Sequence, residues 1–411
     1  MLVKTSESRW LVPFQRRQRQ CFLVAAGVSS IGSFAGIIAK GWLIQDMTQQ
    51  PLLLAVNFAC LSLPAVFLSP HAGTLTDRIG SESVLKRSQY FLLIGAIFSA
   101  IGYVLCNGWV AGQVTALIGG TLIVGIASAY ELTSRLKYVG LIVPEATLAG
   151  YLAQFSVIFN VAKLIGPPVG GFALTFLHPS WVLSLDALSY LVPIAVVNLV
   201  MQPRSLTAAE QPQHRLTMTQ AWQGITPQLR SITLFAGVAS VIGFFHPAIV
   251  PVLAKAYIGP DPLSLGWLTA SIAIGSITAG LLQQRFSESV IGRPRQMLIL
   301  ATGVTAIAQV GFALQPNAGI ALFLAALIGF GTAGLLAGAN IIGQALAPWE
   351  YRGRVAGLTQ IATLGGGGVS SLLAGGLIAQ LGLPLAMGLL GVAGLLAALV
   401  YGRQSLQTAT R

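Results

Sequence analysis

Charge is the scarcest property of this chain: only 8% of its 411 residues are Asp, Glu, Lys or Arg, where a soluble domain carries roughly a quarter. Acid is scarcer than base, 11 residues against 23, which leaves a net charge of +12. The cations form no basic blocks interleaved with aromatic residues, so no nucleic-acid partner is expected. Cys21, Cys60 and Cys106 are the only cysteines. They stand apart, in or beside apolar runs, and offer neither a redox pair nor a metal-binding spacing. His71, His178, His214 and His246 are equally scattered. There is no phosphate-cradling loop. The glycine run at 365–368 lies inside an apolar stretch, where clustered glycines serve close packing or a hinge. Enzyme, metal and cofactor chemistry find no foothold here, and the energy for any transport has to come from a gradient.

What the chain has instead is apolar length. Hydrophobic residues make up 55% of it, with a mean hydropathy of +0.77. Apolar runs able to cross a bilayer as helices fall near 22–44, 52–69, 90–105, 113–135, 152–176, 182–201, 231–253, 263–282, 297–314, 320–344, 356–381 and 384–401. The first follows Lys4, Arg9, Arg16, Arg17 and Arg19. That basic start imitates a signal peptide, but the run is too long for a signal core and reads as an uncleaved first span. The polar stretch at 202–228 is the natural linker between halves. The expected domains are an N-terminal cytoplasmic segment at 1–20, a six-helix bundle at 21–201, the cytoplasmic linker at 202–228, a second bundle at 229–402 and a tail at 403–411.

Loop charges set the orientation. With both termini inside, the inner segments hold Arg78, Lys86, Arg87, Arg135, Lys137, Arg204, Arg285, Arg293, Arg352 and Arg354, among others. The outer turns near 45–51, 107–112, 177–181, 258–262, 315–319 and 382 hold no Lys or Arg. So one-sided a distribution indicates an even number of spans in a plasma or bacterial inner membrane. The lipid bilayer is the implied surrounding, and a monomer is expected.

The most informative stretch is the charged hairpin at 73–87, between the second and third runs. Gly73 is expected to let helices approach, Asp77 and Arg78 to place opposite charges at the membrane surface, and Gly80 to permit the reversal. Lys86 and Arg87 close the stretch. Gly73, Leu75 and Arg78 find counterparts in Gly280, Leu282 and Arg285 after the second run of the second half, with Gln284 in place of Asp77. Gly170 and Gly171 are matched in the same way by Gly375 and Gly376. A duplicated six-span unit follows.

This pattern resembles the signature loop of the major facilitator superfamily of secondary transporters. The resemblance implies an all-α membrane protein of twelve transmembrane helices in two pseudo-symmetric six-helix bundles, with the loop latching the halves. Ser81, Glu82 and Ser83 stand where basic residues often follow the second glycine, so Lys86 and Arg87 are expected to supply the cations instead. Gly166, Pro167, Gly170 and Gly171, inside the fifth span, look like the motif associated with antiporters of the superfamily. Arg352 and Arg354, before span eleven, resemble a Pro, acidic, Arg-Gly-Arg stretch of an exporter branch that includes transmembrane secretion effectors, macrolide-efflux proteins and the enterobactin exporter. These resemblances imply a proton-coupled exporter of a small amphipathic molecule such as a drug, siderophore or secondary metabolite. An importer or lysophospholipid flippase of the same fold, or a non-transporting receptor or scaffold, are the alternatives.

Charges inside the spans carry the remaining candidates, because each costs about 2.5–3.5 kcal/mol at the bilayer centre unless paired or hydrated. Lys163 lies one turn before the Gly-Pro motif, as a candidate for cavity lining or coupling. Glu131 and Arg135, at i and i+4, are placed to pair on one helix face. Asp186, near the outer start of span six, is a candidate protonatable group, and His246, before Pro247, is a second candidate because an ordinary imidazole changes charge near neutral pH. Lys40 and Asp46 flank the outer end of span one, and Lys255 lies near another outer end where it can snorkel.

Overall fold

The computed structural model describes residues 8–143, 145–200, 218–347 and 352–409, and every regular element among them is helical. Among the described residues, twelve helical spans are long and apolar enough to cross a membrane. The first five spans are carried by α1 (Ser8–Thr48), α2 (Pro51–Ile79), α3 (Ser81–Leu105), α4 (Val110–Ile142) and α5 (Glu145–Phe176). Span six is divided into α6 (Pro179–Ser189) and α7 (Leu191–Leu199). A short α8 (Met218–Gly224) precedes span seven, which is divided into α9 (Pro227–Gly243) and α10 (His246–Tyr257). Next come α11 (Pro262–Arg285), a short α12 (Ser287–Gly292), α13 (Pro294–Ala313) and α14 (Ala318–Leu346). Span eleven runs through α15 (Arg352–Gln360), a π-turn (Ile361–Gly365) and α16 (Gly366–Leu381), and α17 (Leu383–Ala409) closes the chain.

The breaks have local causes. Proline has no N–H and its ring collides with the carbonyl four residues back. Pro193 thereby disrupts the turn at Ser189, and Pro247 the turn at Gly243, which is where α6 and α9 end. In span eleven the π-turn runs into glycines 365–368, which are buried against neighbouring helices rather than arranged as a loop.

Two sequence expectations are corrected. The hairpin at 73–87 is not a loop: α2 continues through Asp77 and Arg78 to Ile79, α3 starts at Ser81, and the reversal is made at Gly80 alone. Gly80 has φ +87°, a conformation that favours glycine. Gly73 makes no close helix contact either, since a Cβ there would meet nothing within 4 Å.

Contacts divide the chain into two compact units. The first holds α1 up to Lys40 and the chain from Phe67 through α7; the second holds Gly41–Val66 and the chain from α8 onward. In the first, α3 packs on α4, α6 and α7, and Phe22, Leu85, Tyr138 and Val197 share a core. In the second, α14 packs on α11 and α13, α13 on α17, and Phe235 stacks on Tyr401 at 3.9 Å. The outside of α3 is apolar, with Phe91, Ile94, Phe98 and Ile101 exposed at helical spacing. A lipid solvent accepts that face, whereas water would not.

Candidate functional site

The first unit is built around a seam between α1 and α6. Small residues on α1 let the helices touch: a Cβ on Gly32 would overlap Ser189, and one on Gly36 would overlap the Asp186 carboxylate. One turn beyond Gly36, Lys40 places its Nζ 3.1 Å from Asp186 Oδ2. Both side chains are only 4% exposed, so this ion pair is within the unit and not at its rim. Lys40, expected to flank the outer end of span one, is thus corrected to an interior position about two turns before that end. Asp186 Oδ1 is buried without a hydrogen-bond partner among the described residues. Close by, the Ser33 hydroxyl donates to Tyr190 Oη at 2.8 Å.

The Gly-Pro motif of α5 seats on the same helix. A Cβ on Gly166 would come 2.8 Å from the Ile31 carbonyl oxygen, and one on Gly170 within 2.9 Å of Ala35 Cα. Glycine is required because the neighbour is backbone, which cannot rotate away. Gly171 is buried beside them and Pro167 partly so. Lys163, one turn earlier, lies on an accessible face of α5. The structure therefore brings Asp186 and the Gly-Pro motif onto the same stretch of α1 from two neighbouring helices, α6 and α5.

A second polar cluster ties α2, α3 and α4 together near Gly80. Lys137 Nζ on α4 is 2.6 Å from Asp77 Oδ1 on α2. His71 Nδ1 and Tyr130 Oη, from the same two helices, are 2.9 Å apart. Arg135 pairs with Glu131 at 2.9 Å, as their spacing predicted, and its guanidinium lies 4.5 Å from the Phe155 ring centre. Gln89 Nε2 reaches Glu131 at 3.5 Å. Lys86 pairs with Glu82 at 2.7 Å on its own helix, while Arg78 and Arg87 are exposed.

In the second unit, Lys255 at the end of α10 pairs with Asp46 at the end of α1, 2.5 Å apart, and lies 4.8 Å from the Trp42 ring centre. At the break in span seven, His246 is buried and meets Phe244 edge-on at 5.4 Å. Gln309 Nε2 donates to the Gly243 carbonyl, which Pro247 leaves without a helical donor, at 3.4 Å. A cavity of ≈ 10 Å³ beside it is lined by Thr302, Thr305 and Thr332, about the room that one water needs. Arg285 is exposed at the end of α11. Arg352 and Arg354 fall on the first turn of α15, with side chains outside the described residues.

Lys40 as the partner of Asp186, and Lys137 as the partner of Asp77, escaped the sequence reading. One signal for the first was available: each intramembrane acid needs a cation, and Lys40 lies at a matching distance from the same end of its span.

The transmembrane secretion effector family model matches residues 8–410. The chain is 26% identical over 381 residues to YfiS of Bacillus subtilis (strain 168), an uncharacterised major-facilitator-type transporter, covering 87% of this chain and 88% of the relative. It is 23% identical over 260 residues to the staphyloferrin A transporter of Staphylococcus aureus (strain NCTC 8325 / PS 47), covering 61% and 63%. Similarity to the quinolone resistance protein NorA of the same species is 22% over 190 residues, 46% and 47% of the two chains. Among solved structures, a bacterial homologue of the iron transporter ferroportin in an inward-facing state matches with a TM-score of 0.71 at 16% identity, covering 96% and 99%. The nucleoside transporter NupG matches with 0.67 at 12%, covering 94% and 98%. At such identities the two structures share the fold.

Proposed function

This chain belongs to the transmembrane secretion effector family of major facilitator transporters, and from that premise we propose that it is a proton-coupled exporter of a small amphipathic molecule. The family is one of multi-pass membrane transporters, not enzymes. The relatives named for staphyloferrin A and for quinolone resistance support a siderophore-like or drug-like substrate. The positive-inside distribution supports both termini in the cytoplasm of a bacterial inner membrane, and the linker at 202–228 supports a division into halves there.

The observation that carries the coupling is the buried Asp186–Lys40 pair. Two ions held out of water cost several kcal/mol each unless their geometry is good and the remaining lone pairs are satisfied. Among the described residues one carboxylate oxygen is engaged and the other is not. A proton on that oxygen cancels the carboxylate charge and leaves Lys40 without its counter-ion, so the two protonation states favour different helix arrangements. A ligand shifts a conformational equilibrium only by such a difference. One proton entering at about 150 mV supplies about 3.5 kcal/mol, enough for a substrate gradient of about 300-fold.

The test uses inside-out vesicles, made acid inside, and a labelled panel of one quinolone, one carboxylate siderophore and one macrolide. Uptake of a panel member should collapse with a protonophore. With Asp186→Asn at matched protein level, gradient-driven uptake should fall at least about tenfold while downhill exchange of preloaded compound persists. Uptake indifferent to the protonophore sinks the coupling, and uptake only in right-side-out vesicles sinks export.

A further inference from the structure

We infer that the end of the second unit bearing the α1–α2 and α10–α11 turns is the outer gate of the transport path, latched by Asp46 and Lys255 and hinged at the breaks in spans seven and eleven. The inference rests on the transporter reading, but on neither the coupling ion nor the substrate.

The latch is built for opening. Trp42 and Asp46 stand at i and i+4 on α1 and present one face to a single ammonium, that of Lys255. Lys255 is 16% exposed and Asp46 58% exposed. When this pair parts, the carboxylate is already in water and the lysine stem is long enough to follow it, so no buried charge is stranded. The Lys40–Asp186 pair, buried on both sides, cannot part on those terms.

Behind the latch lies a smooth seam. Gly41 faces Pro251, Gly375 faces Ala55 and Pro51, Gly368 faces Leu63, and Gly365 faces Val66. The Ser371 hydroxyl is 3.4 Å from the Ala55 carbonyl oxygen. Along α2 the contact runs from Pro51 to Val66, the stretch that groups with the second unit. Glycine against small or apolar side chains gives close approach with little interdigitation, so the surfaces separate without any side chain having to change rotamer.

The two helices that receive this face, α10 and α16, are both outer half-helices. α10 follows the break that Pro247 makes at Gly243, whose carbonyl accepts from the Gln309 side chain in place of a helical N–H, beside the threonine-lined cavity. α16 follows the π-turn. Breaks of these two kinds are where helices bend. At the breaks α16 meets α9, with Gly366 against Ser240 and Gly367 against Phe244. Alternating access needs the outer end to open once in each cycle, and α10 and α16 supply the moving parts while α9 and α15 stay in place.

Pulsed dipolar spectroscopy reads the gate without substrate or gradient. Spin labels go on Gln50→Cys and Gly259→Cys, at the two turns, in the full chain carrying Cys21→Ser, Cys60→Ser and Cys106→Ser, in lipid nanodiscs. The parent should show mainly the short distance. Asp46→Asn and Lys255→Gln should each raise the long-distance fraction roughly three- to tenfold, and Trp42→Phe by less. Joining Asp46→Lys with Lys255→Asp should return the distribution towards the parent. Unchanged distributions in both single variants overturn the proposal. Opening in the single variants that the exchange does not reverse also overturns it, because each charge then acts alone. Failure of the vesicle experiment leaves these distances untouched, so the two readings fail separately.

Discussion

At the scale of single residues, the ion pairs differ chiefly in how much water they see. Lys40 and Asp186 are both 4% exposed, and breaking a buried pair from one side typically costs about 3–5 kcal/mol, whereas replacing both partners with apolar groups is often neutral. Lys40→Met is therefore expected to lower thermal stability in detergent strongly, and Lys40→Met with Asp186→Leu to recover most of the loss. If the double variant is no more stable than the single, the two residues are not coupled. Asp77–Lys137 is far more open, 21% and 40% exposed, and a pair in that setting contributes about 0–1 kcal/mol. Asp77→Asn should leave the melting temperature nearly unchanged while slowing transport several-fold, and Asp77→Lys with Lys137→Asp should restore part of the rate. A large stability loss in Asp77→Asn would recast the pair as structural. Neither cation partner followed from helical periodicity, although depth in the span pointed to Lys40. Lys137 and Lys40 each lie far along the chain from the acid they meet, and helical periodicity speaks only about residues within a few turns. Glu131–Arg135 was legible for that reason, because i,i+4 places both on one face.

At the scale of elements, glycine has two opposite meanings here. On α5, Gly170 abuts the backbone of Ala35 on α1, so Gly170→Val should cost at least about 1–3 kcal/mol through overpacking. On α2, Gly73 has open space around it in the middle of a helix, so Gly73→Ala should gain about 0.5–1 kcal/mol from backbone entropy. Thermal unfolding of both variants checks the contrast, and equal losses would refute it. The sequence pattern presents these glycines alike. What separates them is the neighbouring helix, and no local pattern names it. The same limit explains the hairpin at 73–87: polar composition suggested a loop, yet helices at a membrane surface continue into the interface because their backbone hydrogen bonds are already made within the segment. Gly80 remained readable, since only a residue tolerant of φ +87° can stand there. The break in span seven was readable in part from Pro247. Pro247→Ala restores an N–H donor for Gly243 and is expected to straighten α9 and α10 into one helix, shortening the open-state population in the spin-label measurement.

At the scale of the whole molecule, the twelve spans were the most legible feature because the bilayer turns folding into nearly a one-dimensional problem: every segment in it must satisfy its own backbone and show apolar side chains outward. The duplication was legible too, and the structure shows how the copies have diverged. The first unit fastens α2 to α4 with Asp77 and Lys137. The corresponding helices of the second, α11 and α14, are joined by Gln283, buried, whose Nε2 donates to the Gly334 carbonyl at 2.7 Å. Salt screens a charged pair and leaves a neutral amide contact as it is, so of these two fastenings only the one between α2 and α4 depends on ionic strength. This division has meaning only if the α2–α3 and α11–α13 ends face the cytoplasm, as the Lys and Arg distribution argues. Single-cysteine variants on the cysteine-free background decide it. Gln50→Cys and Gly259→Cys should react with a membrane-impermeant maleimide in intact cells, whereas Gly140→Cys and Gly292→Cys, where a new side chain meets nothing within 4 Å, should react only after permeabilisation. Labelling of the second pair in intact cells would invert the topology, and with it the sides assigned to gate and latch.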